Sequence, residues 1–262
     1  MSGAELGSPE FAYLLAALHA REVIGLHAPD LFPDGAEAQD TLYGQGRADL
    51  ETNGWLAPIP DQDGEYELNP ALFELAAIVA APEYVMVSTR TTDEGGKEMA
   101  LHYLVGDEIA ELAALGNGRY RLGVVPDRKS LFERLADMVG AANSKPSVQF
   151  DLPRKTFTKI RSAVGKDDTE KAKSLLNEVG PEAAKGSSLL PAAADEPRCE
   201  LVLLQVQDGE VQDGRRMVVL GEGKRAWLAH RPQPGSSTLT FRNGDAKNLG
   251  SLIEEWIGEL AN

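Results

Sequence analysis

The chain has 262 residues, of which 42% are hydrophobic, and a formal net charge of −15. This length is enough for a substantial core in one large or two closely packed globular units. No apolar run approaches the roughly 20 residues that span a bilayer, so no transmembrane helix is expected. The N-terminal residues lack the basic region and the apolar core of a signal peptide. The one cysteine, Cys199, cannot form an internal disulfide and lies in an apolar run, which predicts a buried thiol in a cytoplasmic protein.

The negative charge is concentrated in the first third of the sequence. Up to Ala81 the only basic residues are Arg21 and Arg47, whereas Asp and Glu are frequent; Lys and Arg collect between Arg119 and Lys173. Because affinity for nucleic acids depends on Lys and Arg that neutralise phosphates, we expect no nucleic-acid partner. The acidic residues either keep the protein soluble or attract a protein partner that carries a patch of positive charge.

The N-terminal third is predicted to begin with two amphipathic helices. Ser8 is a suitable N-cap and Pro9 suits the first helical position, so the first helix begins here. The second helix covers residues 36–52, and Asn53 and Gly54 supply a left-handed stop. Each helix has an apolar stripe that marks its buried face, namely Phe11, Leu14, Leu15 and Leu18 in the first and Leu42, Tyr43, Gly46 and Leu50 in the second.

A short hairpin and a third helix follow. Residues 55–59 and 65–68 are predicted strands joined by a turn at 61–64, and Asn69 with Pro70 caps a buried helix that ends at Ala81. Helix, hairpin and helix together outline a winged helix. The helix over 36–52 that would enter DNA is acidic, however. A winged-helix-like portion would therefore bind protein and not DNA.

The same block of four strands and a helix is predicted twice. The first block has strands at residues 84–90, 97–104, 108–115 and 119–125 and a helix at 128–139. The second block has strands at 199–207, 215–220, 224–230 and 237–242 and a helix at 246–260. Polar turns that contain glycine occur at matching places, 92–96 and 208–214. Such a duplication is typical of a quasi-two-fold scaffold that presents a surface for binding.

The segment between the blocks completes the repeat. It is predicted to contain a linker at 141–147, helices at 154–164 and 168–179, and a loop at 186–197. Two helices then precede each four-strand block, which gives α-α-β-β-β-β-α twice. The sequence therefore predicts an α+β fold of quasi-duplicated antiparallel sheet blocks, with an N-terminal half at 1–140 and a C-terminal half at 141–262. The alternative is one α+β fold whose halves merely look alike.

The residues that most often carry chemistry form no recognisable site. The four histidines, His19, His27, His102 and His230, have no metal-ligand spacing with a His, a Cys or a carboxylate. Residues 221–224 contain Gly-x-Gly-Lys but lack the spacing and the Ser or Thr of a phosphate loop, so we predict a tight turn. No nucleophile elbow is present. We predict no catalytic, cofactor or metal site, and no enzyme; the alternative is a site assembled from distant residues.

The stretch from residue 72 to 139 carries a resemblance to a known family. An apolar helix ends in Ala81-Pro82-Glu83, a strand follows at 84–87, and residues 118–126 lead into the start of a helix at 131–135. In this pattern, and in its two halves of helices and antiparallel sheet, the chain resembles the EspG family of type VII (ESX) secretion-associated proteins. It departs from the family in the winged-helix-like portion and in the loop at 186–197.

The resemblance implies a bacterial chaperone that binds the helical tip of a secreted helical-hairpin substrate and keeps it soluble before export. No individual binding residue can be transferred from the family. We therefore predict a cytoplasmic, non-enzymatic chaperone or adaptor whose partner is another protein, of helical structure, with no nucleic acid, membrane or cofactor involved. The alternative is a winged-helix-containing regulator that acts through protein contacts, and the second alternative is an enzyme whose site the sequence does not reveal.

The last predicted helix has an apolar stripe that can be interpreted in two ways. The stripe consists of Leu249, Leu252, Ile253, Trp256, Ile257 and Leu260. In the preferred interpretation it packs on the second sheet. In the other, Trp256 is an exposed anchor for a partner, because aromatic anchors dominate binding hot spots.

Overall fold

A computed structural model describes residues 3–60, 65–142 and 147–261. Helices and antiparallel strands are combined in it, which confirms the predicted α+β class. The chain forms two compact units. The first consists of Met1–Val87, Met99–Asp127 and Leu204–Asp213, and the second of Ser88–Glu98, Arg128–Leu203 and Gly214–Asn262. The predicted division into halves at 1–140 and 141–262 refers to the repeated blocks and not to these units, so it stays a prediction.

The elements of the described residues follow the predicted order closely. Up to residue 140 they are β1 (Ala4–Gly7), α1 (Ser8–Ala17), α2 (Ala36–Thr52), β2 (Leu56–Pro58), β3 (Tyr66–Leu68), α3 (Pro70–Ala80), β4 (Tyr84–Thr91), β5 (Lys97–Val105), β6 (Glu108–Gly116), β7 (Arg119–Val124) and α4 (Arg128–Met138). Beyond it they are β8 (Gln149–Pro153), α5 (Arg154–Val164), α6 (Thr169–Val179), α7 (Pro181–Lys185), α8 (Leu189–Ala194), β9 (Cys199–Gln207), β10 (Glu210–Leu220), β11 (Trp227–His230), β12 (Thr238–Asn243) and α9 (Ala246–Leu260).

The first unit contains strands in the order β1-β7-β6-β5-β4, except for residues 88–91 of β4 and 97–98 of β5, which belong to the second unit. β2 pairs with β3 separately. β1 pairs antiparallel with β7, and β6 pairs antiparallel with both β5 and β7. Helices α1 and α3 pack on these strands. The core between them contains Leu6, Phe11, Leu72, Tyr103 and Leu122, each at most 1% exposed. Burial of such side chains is the main force that holds this unit together.

Two carboxylates fix the start of α1 in the first unit. Glu10 is buried and accepts hydrogen bonds from the Gly7 N–H (2.6 Å) and from the Asn53 side-chain amide (2.7 Å). Asp30 accepts a hydrogen bond from the Ser8 hydroxyl (2.5 Å). The prediction of Ser8 as the N-cap was therefore wrong by one residue. Gly7 is the N-cap because Glu10 satisfies its N–H, while the Ser8 hydroxyl bonds outward to Asp30.

The strands that lie wholly or mainly in the second unit have the order β8-β12-β11-β10-β9, and residues 204–213 at the ends of β9 and β10 belong to the first unit. Helices α5 to α8 share a core with these strands, and at its centre Phe150 lies 5.5 Å from Phe241 and 5.7 Å from Trp227 between ring centroids. Helix α9 packs against α4 and buries its predicted stripe except for Ile257, which is half-buried. Trp256 is 2% exposed and its ring lies 5.6 Å from that of His230, so it is a core residue.

Some elements differ from the sequence prediction. The edge strands β1 and β8 were not predicted, because each is short and gains its pairing from a distant strand, β7 or β12. The predicted loop at 186–197 contains α8, which forms because Leu189, Leu190, Ala192 and Ala193 are buried. In the predicted turn at 208–214 only Asp208 and Gly209 turn, both with positive φ, and β10 begins at Glu210.

Several local predictions are confirmed. Asn69 caps α3 by accepting hydrogen bonds from the N–H groups of Ala71 and Leu72, and Gly54 adopts the left-handed conformation after α2. The predicted turn at 61–64 and most of the predicted linker at 141–147 lie outside the described residues. Among the described helices, none has the length and apolar character needed to cross a membrane.

Candidate functional site

The four histidines do not come together. His19 and His27 are exposed, whereas His102 and His230 are buried in strands β5 and β11. His230 uses Nδ1 in a hydrogen bond with the Arg231 carbonyl (3.2 Å), and burial lowers the pKa of its imidazole. Within the described ranges no group of three or more His, Cys, Asp and Glu residues could hold a metal ion.

Two other residues singled out in the sequence have structural roles. The Cys199 thiol is buried, and burial raises its pKa, so the reactive thiolate is disfavoured. Gly221 and Gly223 both have positive φ, as a tight turn requires, and the segment 221–224 links β10 to the chain that leads into β11. Neither place has the geometry of a nucleophile or a phosphate loop.

Helix α2 has one basic side chain, and it is engaged within the protein. The Arg47 guanidinium pairs with Glu51 (2.9 Å) and lies 4.1 Å above the ring of Tyr66. Near the start of the same helix is a groove of about 680 Å³ whose lining includes Asp30, Asp34 and Glu37. This part of the first unit is therefore acidic and offers no free cation to phosphate groups.

The most distinctive surface of the second unit is a pair of grooves that share two arginines, which we call the basic groove. One part has a volume of about 370 Å³ and the other about 590 Å³, and Arg154 and Arg231 line both. The first part is also lined by Arg215, Arg216, Val218, Ala229 and Leu239, and the second by Lys155, Thr158, Ser236 and Ser237. No Asp or Glu lines either part.

Sheet pairing brings the sides of the basic groove together. β12 pairs with β8, and the Arg154 N–H donates to the Ser237 carbonyl (2.8 Å), so α5 begins beside the start of β12. β10 pairs with β11 so that Val218 lies opposite Ala229. Arg231 directly follows β11. Side chains far apart in sequence thus surround a partly exposed apolar floor.

The cations of the basic groove differ in how they are paired. Arg216 forms an ion pair with Glu200, and the Arg215 Nε lies 3.6 Å from a Glu259 carboxylate oxygen. Arg154 and Arg231 are exposed and form no ion pair with any residue that the structure describes; the same holds for Lys155 and, one turn further along α5, Lys159. Four cations are therefore available to an external ligand.

A second groove lies between α4 and α9. Its volume is about 890 Å³, and Phe132, Ala246 and Gly250 provide its apolar part. Charges of both signs surround it, namely Lys129, Lys247, Glu133, Glu254 and Glu255. All three carboxylates already have partners, because Glu133 pairs with Lys129 (3.7 Å), Glu254 with Arg128 (2.8 Å) and Glu255 with Arg242 (2.5 Å). This groove has no net preference for a charged partner.

Sequence analysis did not identify the basic groove. The concentration of Lys and Arg between Arg119 and Lys173 was visible, and it contains Arg154, Lys155 and Lys159. Arg231 lies well beyond that stretch. Its approach to Arg154 depends on the pairing of β12 with β8, and β8 was not predicted.

No known protein-family model matches this chain, and no curated protein matches it in sequence. Comparison with solved structures finds the Mycobacterium tuberculosis type VII secretion system chaperone EspG5, in a structure that also contains a PE25–PPE41 dimer. The TM-score is 0.55 at 14% sequence identity, and the alignment covers 95% of this chain and 94% of that one. The chain therefore has an EspG-like fold, which confirms the resemblance inferred from residues 72–139 and extends it along nearly the whole chain.

Proposed function

We propose that the protein is a non-enzymatic chaperone or adaptor that binds a helical segment of another protein and keeps that protein soluble. The observation that carries this proposal is the fold shared with EspG5 along nearly the full length of both chains. EspG5 was solved with a bound protein dimer, and by analogy we expect a protein partner here.

The basic groove is the place where we expect that partner. It joins exposed cations to a partly exposed apolar floor formed by Val218 and Leu239. An amphipathic helix can use both features, its apolar side chains on the floor and its polar side chains on the rim. The buried His102 and His230 and the buried Cys199 thiol suit structural roles in such a protein better than catalytic ones.

We also infer that the fold arose by internal duplication. The strand orders support this, because they run β1-β7-β6-β5-β4 in one block and β8-β12-β11-β10-β9 in the other. Each block has an edge strand that precedes four consecutive strands, followed by a closing helix, α4 or α9. Superposition of residues 84–138 on 199–260 should match the strands in order and direction. Different strand directions in the two blocks would reject the duplication.

The function is tested by recovery of the partner from the native cell. The tagged full-length chain is isolated and its bound proteins are identified by mass spectrometry; the partner is then expressed with and without the chain. A chaperone should raise the soluble fraction of one small, helical protein. If transcription components or DNA are recovered instead, the winged-helix regulator is the better explanation. A partner that is equally soluble alone would contradict the chaperone role.

A further inference from the structure

We propose that the basic groove selects an acidic helix, whose carboxylates pair with Arg154, Arg231, Lys155 and Lys159. This inference rests on the proposed function, because it specifies the chemistry of the protein segment that is bound. It also explains why a chain with a net charge of −15 keeps a cluster of exposed, unpaired cations in one place.

The charge of the groove is the first argument. No carboxylate lines either part, and the two arginines common to both parts have no ion pair within the described ranges. Arginine presents a planar fork of N–H donors that matches a carboxylate in a bidentate geometry. Exposed cations of this kind contribute more to the rate and specificity of association than to the stability of the free protein. They are therefore placed for a partner.

The spacing of the lysines is the second argument. Lys155 and Lys159 are four residues apart on the exposed side of α5, so they lie on one face, separated by about 6 Å along the helix axis. Carboxylates four residues apart on a partner helix have the same separation. A helix laid along α5 can therefore satisfy both lysines at once.

The floor of the groove is the third argument, and it separates a protein segment from a nucleic acid. Val218 and Leu239 are half-buried and leave apolar surface between the arginines. The phosphate backbone of a nucleic acid offers nothing apolar to this floor, whereas a helix with Leu beside its Glu residues does.

A designed peptide tests the proposal without knowledge of the natural partner. The probe is a fluorescent, end-capped helical peptide of about 20 residues, long enough to be helical alone, with Glu pairs at i and i+4 and Leu on the adjacent face. Its counterpart carries Gln in place of every Glu. We expect anisotropy to show binding of the Glu peptide to the full-length protein. Binding of the Gln peptide should be about tenfold weaker or more, a difference that shrinks as salt is added.

Matched variants locate the binding. The triple variant Lys155→Glu/Lys159→Glu/Arg231→Glu should weaken binding of the Glu peptide by about tenfold or more. Lys129→Glu/Lys224→Glu/Lys247→Glu changes the net charge equally, at exposed positions outside the basic groove, and should retain binding. Circular dichroism of both variants confirms that they are folded. The proposal would be overturned if the two variants lost the same affinity for the Glu peptide. It would also be overturned if the wild-type protein bound the Glu and Gln peptides with equal affinity.

Two other occupants are outcomes of the same experiment. A single-stranded oligothymidine that competes with the Glu peptide at equal concentration would assign the groove to nucleic acid. Salt-sensitive dimers in sedimentation, abolished by the groove variant but not by its control, would assign it to the acidic face of a second copy. Either result rejects the acidic-helix partner. If the peptide fails to bind but the native partner is still kept soluble, only this inference fails and the proposed function stands.

Discussion

Each unit contains a pair of helices that cross at a glycine, and the two crossings differ in what the glycine contacts. In the first unit a Cβ on Gly46 of α2 would lie 1.9 Å from the Pro9 carbonyl oxygen of α1. In the second unit a Cβ on Gly250 of α9 would lie 2.5 Å from a ring carbon of Phe132 on α4. A backbone carbonyl in a helix cannot move without the helix, whereas a Phe ring on a groove wall can rotate. The absence of a side chain is therefore a stricter requirement at Gly46 in the first unit than at Gly250 in the second.

The polar contacts that join the two helices also differ between the crossings. In the first unit the buried Glu10 joins α1 to Asn53 at the end of α2 through a 2.7 Å hydrogen bond. In the second unit, α4 and α9 are joined by the exposed pair of Arg128 and Glu254 (2.8 Å). Exposed ion pairs contribute little to stability, so the second crossing depends on the apolar side chains beneath α9. The first crossing is thus fixed by backbone fit and the second by burial.

The largest effect is expected for Trp256→Ala, which tests whether burial holds the second crossing. Trp256 is 2% exposed and packs edge-on to His230, so its removal leaves a cavity and should lower the free energy of unfolding by about 3–5 kcal/mol. Urea denaturation followed by circular dichroism measures this change. Exposed Phe73 on α3, mutated to Ala, is the control and should have little effect. An unchanged midpoint for Trp256→Ala would contradict its place in the core.

Gly46→Ala tests the first crossing and should have the next largest effect. The added methyl meets a backbone carbonyl, so α1 and α2 must separate, at a cost of about 1–3 kcal/mol or more. Gly44 lies in the same helix, and a Cβ added to it would have no atom within 4 Å. Gly44→Ala should therefore stabilise by about 0.5–1 kcal/mol, because Ala loses less backbone entropy in a helix. Effects of the same sign in the two variants would reject the backbone contact.

The second glycine gives the direct comparison. Gly250→Ala should cost less than Gly46→Ala, because the Phe132 ring can rotate away from the new methyl, and its cost should stay at about 1 kcal/mol. Gly258 of α9 has no atom within 4 Å of a Cβ, so Gly258→Ala serves as the internal reference for helix propensity. Thermal melts of all four alanine variants show at which crossing an added methyl lowers the melting temperature more. A larger loss at Gly250 than at Gly46 would reverse our interpretation.

Sequence alone identified one residue of the first crossing. The predicted stripe of α2 placed Gly46 on the buried side of the helix, but it did not predict which helix packs there. The identity of that neighbour, the Pro9 carbonyl, depends on the three-dimensional packing of α1 on α2 and leaves no mark in the sequence. The pairing of Phe132 with Gly250 was hidden for the same reason.

The strands show the same limit. Most of the central strands were predicted to within one residue at each end, because their alternating apolar residues reveal the buried face, whereas the starts of β10 and β11 were misplaced by five and three residues. The edge strands β1 and β8 are short and owe their conformation to partners far along the chain. The missed β8 is also what places Arg154 beside Arg231. The part of the candidate site that the sequence concealed was therefore its assembly, and not its residue types.

The smallest expected effect is a change in stability with pH, and it should arise beside the second crossing. Burial beneath α9, together with the nearby Arg242, lowers the pKa of His230, while the Arg231 carbonyl, Glu255 and Asp151 oppose this. Since the folded pKa lies below the unfolded value of about 6.5, the unfolded chain binds the proton more readily. Stability is thus fully present above pH 6.5, is lost as the pH falls toward the folded pKa, and then levels off. In His230→Gln this loss should vanish, so the difference in urea midpoint between wild type and variant should change between pH 7 and pH 5. A difference that stays constant over this range would show that His230 does not titrate differently in the folded protein.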